Sequence, residues 1–554
     1  MNAPVKRKPL GELLKDKGII QDGHIDYALQ EQKVTRERLG EVLQRLGFVT
    51  EYEIATTTAE QEQLPYLELS DALPEERALR LFNKNLCLNN QFLPIKREDS
   101  KLQVATVSTD TQRLRQTITR QTGLQPDFYV VDRTKLVNAI HNYYYFLEHP
   151  VESLIETEVR VLSGDTEGVR PVDKLLEHIF HLAVKYRASD IHIRPMEKSV
   201  NVALRVDGVM RSMFSLPSQL KRVVSSVKMR AGMDIAEQRL PQDGSFTETI
   251  LNNDYYFRAS TTVVPFGENL VLRVLPLQGA FMGMNQLGFL EDDVRLVKTM
   301  FNEPYGIVLL TGPTGSGKTS TLYAALLTMD MLGKNIMTVE NPIEYRFPLL
   351  RQTQVNTKAG YTFANAIRYF LRHDPDVMLV GEIRDEETAG TAFSASETGH
   401  LVLSTLHTNS AFGAIPRLQT LGVPAFVLAD SLVGVVSQRL VRRICPSCKV
   451  SYTASQAERE YLGLPELDRL YRGPGCQVCG HTGYVGRTLI YEILGFDREL
   501  ATLLREGGTQ LQLEQVAASH GFKDMFGTAR AKVVLGITTV AEMQRVLGHI
   551  AGTR

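Results

Sequence analysis

The sequence predicts a mixed α/β fold organised around one glycine-rich loop. An apolar run from Ile307 to Leu310 leads into Gly312-Pro313-Thr314-Gly315-Ser316-Gly317-Lys318-Thr319, and a helix-forming run from Leu322 to Leu327 follows. Strand, glycine loop and helix in this order are the context of a phosphate-binding P-loop. Backbone N–H groups turn inward there, at a helix N-terminus that favours an anion. We expect Lys318 to reach the β- and γ-phosphates and Thr319 to offer its hydroxyl to Mg²⁺.

Length and composition indicate a multidomain globular protein. The chain has 554 residues, and single cores stop growing near roughly 250–300 residues, so we expect roughly three or four domains. Lys and Arg number 62 against 63 Asp and Glu, and this balance does not indicate a nucleic-acid partner. No apolar run is long enough to cross a membrane, and the basic start lacks a signal-peptide core. The sequence therefore predicts a cytoplasmic protein.

The N-terminal region is an internal repeat of residues 10–32 and 39–61. The aligned pairs are Leu10-Gly11 with Leu39-Gly40, Gly18 with Gly47, Ile25 with Ile54, and Gln32 with Gln61. Each copy predicts a short helix, a glycine C-cap and a second amphipathic helix. One interpretation is a duplicated helical hairpin, over residues 1–62, that serves as a docking module.

Three segments follow before the P-loop. Residues 63–145 alternate strand and helix patterns and predict a small α/β module, in which Cys87 is a buried apolar residue. Residues 146–170 are rich in Glu, Thr, Ser and Gly and predict a flexible linker. Residues 171–280 begin with an amphipathic helix and continue with strand patterns, joined by an Asp207-Gly208 turn, which predict an α+β domain.

Three buried-strand patterns after the P-loop end in polar side chains. Glu340 ends the first, Glu382 follows the second, and His407 follows the third, which begins near His400. The carboxyl ends of strands in an open α/β sheet face the ligand crevice. We expect Glu382 to position or activate the attacking water and to reach Mg²⁺. Glu340 is a candidate for metal or water positioning, and His407 for donation to the γ-phosphate.

Four of the five cysteines form two Cys-x₂-Cys pairs, Cys445 with Cys448 and Cys476 with Cys479. Four thiolates that converge in a tetrahedron suit structural Zn²⁺ and leave no open position for chemistry. The long interval between the pairs can hold a helix over 455–462. The sequence therefore predicts a zinc-binding subdomain over residues 440–492, followed by C-terminal helices over 495–554.

These motifs, in this order, resemble the secretion ATPase superfamily of type II secretion, type IV pilus assembly and pilus retraction. The resemblance is strong over residues 170–500 and moderate over 1–145. It implies a RecA-like P-loop ATPase core over 281–554, a preceding α+β, PAS-like N2 domain over 171–280, an α-helical and α/β N-terminal domain, and a zinc-binding insert. It also implies ATP hydrolysis with Mg²⁺.

The same resemblance implies partners. Members form homo-hexamers that turn an inner-membrane platform protein beside a membrane-anchored accessory protein, so this chain would be peripheral to the inner membrane without inserting into it. Extension and assembly ATPases carry the four-cysteine insert, which argues against a retraction motor.

The family also assigns two arginines of the N2 sheet to the nucleotide site, and their positions here are Arg258 and Arg273. Planar guanidinium groups meet the charge that builds on phosphoryl oxygens. This chain departs from the family pattern at two places: Asn341 stands where the family has aspartate, and Arg194 where it usually has glutamate.

The N-terminal repeat resembles a tandem motif that binds cyclic di-GMP in some of these ATPases. The contact positions fall on Leu10, Gly11, Ile25, Leu29 and Gln32 in the first copy and on Arg38, Leu39, Gly40, Ile54, Thr58 and Gln61 in the second. Arginine can stack on guanine and pair with phosphate. Pro9 replaces the arginine of the first copy, and Thr58 replaces an aliphatic residue.

Several alternatives stay open from the sequence. The chain could serve a type IV pilus or a type II secretion pseudopilus. Asn341 leaves open a nucleotide-binding scaffold with weak or no hydrolysis. A DNA-processing or conjugation ATPase fits the P-loop but does not fit the four-cysteine insert.

Overall fold

The computed structural model describes residues 8–164, 171–277 and 282–548. The described residues form two compact units: residues up to 57 join residues 282–548 in the first, and residues 58–277 form the second. The predicted features that fall on residues 1–7, 165–170, 278–281 and 549–554 lie outside these ranges. Within the described ranges no helix has the length and apolar character that a membrane span requires.

The repeat forms four helices in the order that its sequence predicts. They are α1 (Leu10–Asp16), α2 (Asp22–Thr35), α3 (Leu39–Arg45) and α4 (Glu51–Glu62). The two copies pack reciprocally. A Cβ atom on Gly11 would lie 3.6 Å from Leu39 Cδ2, and one on Gly40 would lie 3.7 Å from Leu10 Cδ2. The glycines therefore allow the N-terminal ends of α1 and α3 to approach each other closely.

The second unit contains two sheets. Its helices are α5 (Glu76–Leu79), α6 (Lys84–Asn90), α7 (Thr111–Thr122), α8 (Arg133–Glu148), α9 (Val151–Ser163), α10 (Asp173–Lys185) and α11 (Arg222–Arg230). A three-stranded sheet contains β1 (Phe92–Glu98), β2 (Lys101–Thr106) and β3 (Gln125–Val130). A six-stranded antiparallel sheet has the order β6-β5-β4-β9-β8-β7 and contains β4 (Asp190–Pro195), β5 (Ser199–Val206), β6 (Val209–Pro217), β7 (Gln242–Ile250), β8 (Asn253–Val264) and β9 (Gly267–Pro276). These sheets are those of the predicted α/β module and α+β domain.

The prediction of a flexible linker over 146–170 is wrong for Val151–Ser163, which form helix α9. Val151, Ile155 and Leu162 are buried in one core with α10. Their spacing places them on one helical face. The polar composition of the segment belongs to the opposite face of this helix, so composition alone misled the prediction.

The C-terminal part of the first unit contains a seven-stranded sheet and its covering helices. Its first elements are α12 (Glu291–Phe301), β10 (Gly306–Thr311), α13 (Lys318–Leu326), β11 (Ile336–Glu340), β12 (Arg351–Gln354), α14 (Phe363–Phe370), β13 (Val377–Val380), α15 (Glu386–Glu397) and β14 (Leu401–Leu406). There follow α16 (Ala414–Thr420), α17 (Ala425–Ser431), β15 (Leu432–Ile444), β16 (Val450–Thr453), α18 (Gln456–Leu462), β17 (Arg469–Arg472), β18 (Tyr484–Gly495), α19 (Arg498–Arg505), α20 (Gln510–Ser519), α21 (Met525–Val534) and α22 (Val540–Leu547).

The strand order of this sheet is β12-β11-β13-β14-β10-β15-β18, and only the β15–β18 pair is antiparallel. Strands β10, β11, β13 and β14 are buried along their whole length, as a parallel sheet covered on both faces requires. The neighbours of β10 are β14 and β15, so the chain reverses its order there. Such a switch point forms a crevice at the carboxyl ends of the strands.

Candidate nucleotide site and metal centre

The glycine-rich loop joins β10 to α13 at this crevice. Gly312 has a φ of 140°, and a Cβ atom on it would lie 2.3 Å from the carbonyl oxygen of Gln438. No residue with a side chain fits that position without a shift of backbone. The Gln438 side chain is buried and donates from Nε2 to the Ser316 carbonyl oxygen at 2.9 Å. Gln438 was not predicted as a site residue from the sequence, although the single amide of β15 is a signal for a buried polar contact.

Lys318 is held at the mouth of the loop. Its Nζ donates to the carbonyl oxygens of Gly312 at 2.8 Å and Pro313 at 3.2 Å. Burial lowers the pKa of Lys318, and the nearby Glu382 carboxylate opposes that shift. Thr319 follows in the first turn of α13 and is partly exposed. The loop therefore presents a cation and a hydroxyl at one helix N-terminus, as a phosphate–Mg²⁺ site needs.

Glu382 and His407 lie together beside Lys318. The Arg384 Nε is 2.6 Å from Glu382 Oε2, and the His407 Nε2 is 3.6 Å from the same oxygen. Burial and the Lys318 charge lower the pKa of His407, although the Glu382 carboxylate opposes that shift. This direction favours the neutral imidazole, which can donate from one nitrogen. The strand ends are also joined directly, because the Thr408 N–H donates to Thr311 Oγ1 at 2.8 Å. His400 comes directly before β14, as His407 comes directly after it. The His400 Nδ1 lies 2.9 Å from the Ala395 carbonyl oxygen at a turn.

Glu340 is buried at the end of β11, and both of its carboxylate oxygens accept hydrogen bonds. Thr338 Oγ1 at 2.7 Å and Gln352 Nε2 at 3.1 Å donate to Oε1. The Tyr323 hydroxyl, from helix α13, donates to Oε2. Strands β11 and β12 and helix α13 therefore fix this carboxylate. These hydrogen bonds were not predicted from the sequence. Asn341, the next residue, is exposed.

Arg258 and Arg273 lie in the second unit, directly opposite each other on β8 and β9. The Arg273 Nε donates to Asp190 Oδ1 at 3.1 Å, and Arg205 lies 3.6 Å from the other oxygen of that buried carboxylate. Asp190 therefore orients Arg273 and offsets part of its charge. Arg194 lies on β4.

The four predicted cysteines converge between β15 and β18. All four Sγ atoms lie within 4.8 Å of one another, with 3.8 Å between Cys445 and Cys476 and 3.7 Å between Cys476 and Cys479. A tetrahedral zinc site with Zn–S bonds of about 2.3 Å has S···S separations of about 3.8 Å. Burial opposes ionisation of Cys479, but N–H groups of Cys476 and Gly483 donate to its sulfur and lower its pKa to about 7. These residues fit a structural zinc ion.

The structure brings most of the predicted repeat positions together. Leu10, Gly11, Leu39 and Gly40 meet at the pseudo-symmetric contact between α1 and α3. Ile25 Cδ1 and Ile54 Cδ1 each lie 3.9 Å from the position that a Cβ atom would take on Gly11 and Gly40, respectively.

The remaining repeat positions lie on α2, directly before α3 and on α4. Arg38 is exposed immediately before α3, and Leu29 is 40% exposed on α2. The Gln32 Nε2 donates to the Glu37 carbonyl oxygen at 2.8 Å. Thr58 and Gln61 lie on the last turns of α4.

The fold and the site define a P-loop ATPase-type α/β protein that carries a four-cysteine insert. The chain belongs to the type II/IV secretion system protein family, whose profile matches residues 165–545. A second profile, the MshEN domain, matches residues 62–149. This match covers the small α/β module that the sequence predicts over residues 63–145.

Curated relatives extend the similarity over the whole chain. The chain is 45% identical to the type II secretion system protein E of Pseudomonas aeruginosa over 69% of this chain and 76% of that protein. It is 35% identical to the type IV pilus assembly ATPase PilB of Myxococcus xanthus over 98% of this chain and 99% of that protein. The ATPase DotB of Yersinia pseudotuberculosis has a similar fold, with a TM-score of 0.50 at 18% identity over 70% of this chain and 97% of that one.

Proposed function

We propose that the chain is a Mg²⁺-dependent ATPase motor that drives assembly of a type IV pilus or a type II secretion pseudopilus. The observation that carries this proposal is the convergence of Lys318, Glu382 and His407 at the carboxyl edge of one parallel sheet. Membership of the type II/IV secretion system protein family supports it.

Each residue has a role that follows from its chemistry. Thr319 and Glu382 would hold Mg²⁺, which neutralises phosphate charge together with Lys318. Glu382 accepts a hydrogen bond from the attacking water, with Glu340 as the second carboxylate of the crevice. Neutral His407 donates a hydrogen bond to the γ-phosphate. Arg258 and Arg273 complement the charge that develops in the transition state.

The proposed assembly is a cytoplasmic homo-hexamer that acts on an inner-membrane platform protein beside a membrane-anchored accessory protein. The match to the pilus ATPase of M. xanthus includes the N-terminal repeat, whereas the match to the secretion protein of P. aeruginosa covers 69% of this chain. This difference in coverage favours a pilus-type machine.

Turnover of ATP tests the proposed function. Glu382→Gln keeps the size of the side chain but removes its charge, so we expect phosphate release to fall about 100-fold or more. We expect the affinity for ATP measured without Mg²⁺ to stay within a factor of about three, because Glu382 serves the attacking water and the metal ion and does not contact the phosphates. Glu386→Gln, which removes an exposed charge from the first turn of α15, is the matched control. Equal phosphate release by Glu382→Gln and the control would contradict the role of Glu382.

We further propose that the repeat binds cyclic di-GMP through Arg38. Titration of the full-length protein should give saturable binding, weakened about ten-fold or more in Arg38→Ala because a charge-assisted contact is lost. Lys33→Ala, at an exposed lysine of α2, should bind as the wild type does. The absence of saturable binding in the wild type would mean that Pro9 and Thr58 have broken the site, and the repeat would be a docking module.

A further inference from the structure

The second copy of the repeat packs on the helix that begins at the P-loop. Leu46, Phe48 and Val49 share one apolar core with Tyr323 and Leu326 of α13. The turn between α3 and α4 makes the closest approach. A Cβ atom on Gly47 would lie 3.2 Å from Leu327 Cδ2, 3.3 Å from Met331 Cε and 3.7 Å from Phe347 Cδ1. A side chain at this turn would therefore press on the ends of the Leu327 and Met331 side chains, which would have to give by a few tenths of an ångström.

The first copy offers an internal comparison at the equivalent turn. Gly18 ends α1 as Gly47 ends α3, and both have left-handed backbone, with φ of 66° and 80°. A Cβ atom on Gly18 would have no described neighbour within 4 Å. The same substitution at the two glycines therefore brings a similar backbone penalty, but only the one at position 47 presses on the core.

Tyr323 connects this contact to the nucleotide crevice. Its ring centroid lies 5.4 Å from that of Phe347 and 5.7 Å from that of Tyr345. The side chain is 4% exposed, and burial raises the pKa of Tyr323, so the hydroxyl stays protonated and donates to Glu340 Oε2. One helix therefore carries Lys318 at its start, the partner of Glu340 in its middle and the repeat against its side.

We propose that Tyr323 is a positioning residue through which docking of the second repeat copy on α13 sets the orientation of the Glu340 carboxylate. This inference rests on the proposed ATPase function. Packed interfaces respond to small displacements by moving between discrete arrangements rather than by deforming smoothly. The Gly47 turn touches α13 at its C-terminal end, at Leu327, so a displacement there reaches Tyr323 and Glu340 before it reaches Lys318 and Thr319. It therefore changes the rate of hydrolysis more than it changes the affinity for ATP.

The test compares four full-length variants with the wild type: Gly47→Asn, Gly18→Asn, Tyr323→Phe and the double variant Gly47→Asn/Tyr323→Phe. Asparagine tolerates left-handed backbone, so the two glycine variants are matched in local conformation. Steady-state phosphate release gives kcat and KM for ATP. Hydrogen–deuterium exchange over residues 336–354 gives a readout of the Glu340 region that does not require hydrolysis.

We expect Gly47→Asn and Tyr323→Phe each to lower kcat about ten-fold, since small misplacements of a reacting group have large effects on rate, with KM within a factor of about two. Gly18→Asn should behave as the wild type. The double variant should lose no more than either single variant, because both changes interrupt one connection. Exchange over 336–354 should rise in Gly47→Asn and Tyr323→Phe alone.

Two results would overturn the inference: equal kcat in Gly47→Asn and Gly18→Asn, or losses that multiply in the double variant. Failure of the proposed function gives a different pattern, in which no variant and no wild-type sample releases phosphate. In that case hydrogen–deuterium exchange over residues 336–354 is the only test of the connection between the Gly47 turn and Glu340. Faster exchange confined to Gly47→Asn and Tyr323→Phe upholds the connection, and equal exchange in all samples refutes it.

Discussion

Replacement of Lys318 by alanine is expected to lower phosphate release by about 100- to 1,000-fold, the effect of removing one preorganised donor from a developing negative charge. The ammonium group donates to the Gly312 and Pro313 carbonyl oxygens at the mouth of the loop, so its charge lies beside the proposed phosphate site. ATP affinity should fall as well, since the same charge contacts the ground-state phosphates.

A lysine outside the crevice provides the control for this substitution. Lys358 is exposed in a short turn beyond β12, and Lys358→Ala makes the same change in net charge. Phosphate release and binding of a fluorescent ATP analogue should be measured for both variants. Wild-type turnover in Lys318→Ala would refute the assignment of Gly312–Thr319 as the phosphate site.

Loss of one cysteine of the four-cysteine cluster is the second large effect that we expect. The wild type should contain about one zinc ion per chain, and Cys476→Ser should lose most of it. Structural zinc contributes about 10–16 kcal/mol of apparent binding free energy in small zinc domains at pH 7, and this energy is coupled to folding. The melting temperature should therefore fall in Cys476→Ser, and a strong chelator should lower that of the wild type.

The fifth cysteine gives the matched control for zinc content. Cys87 is buried in the second unit, where its sulfur lies 3.2 Å from the Tyr144 hydroxyl. Cys87→Ala should keep the full zinc content whatever its effect on stability. Unchanged zinc content in Cys476→Ser, measured by elemental analysis, would contradict a four-thiolate site.

The crevice that holds Glu382 and His407 could be predicted from the sequence without knowing the order of the strands in the sheet. Glu382 and His407 each come after a continuous apolar run, and the carboxyl ends of parallel strands share one edge of a sheet. The cysteine pairs were predictable because their spacing is set by the geometry of a metal ion. In both cases a local pattern determines which groups meet.

The docking of the repeat on α13 could not be predicted in the same way. Leu14, Val42 and Leu43 are fully buried, and their pattern predicts an apolar face but does not identify the surface that covers it. Tyr323 is similar: a tyrosine in an apolar helix predicts burial, whereas its bond to Glu340 depends on tertiary packing. The helix over Val151–Ser163 was missed because overall polar composition does not show periodicity, which here places Val151, Ile155 and Leu162 on one buried face.

Single-turnover release of phosphate is the most direct test of the central claim that this chain is an ATP-hydrolysing motor. Purified wild-type protein and Glu382→Gln would each be loaded with ATP, and Mg²⁺ would start the reaction. We predict that the wild type converts its bound ATP to ADP and phosphate, and that Glu382→Gln retains ATP over the same time. Retention of intact ATP by both proteins would contradict the account and identify the chain as a nucleotide-binding scaffold.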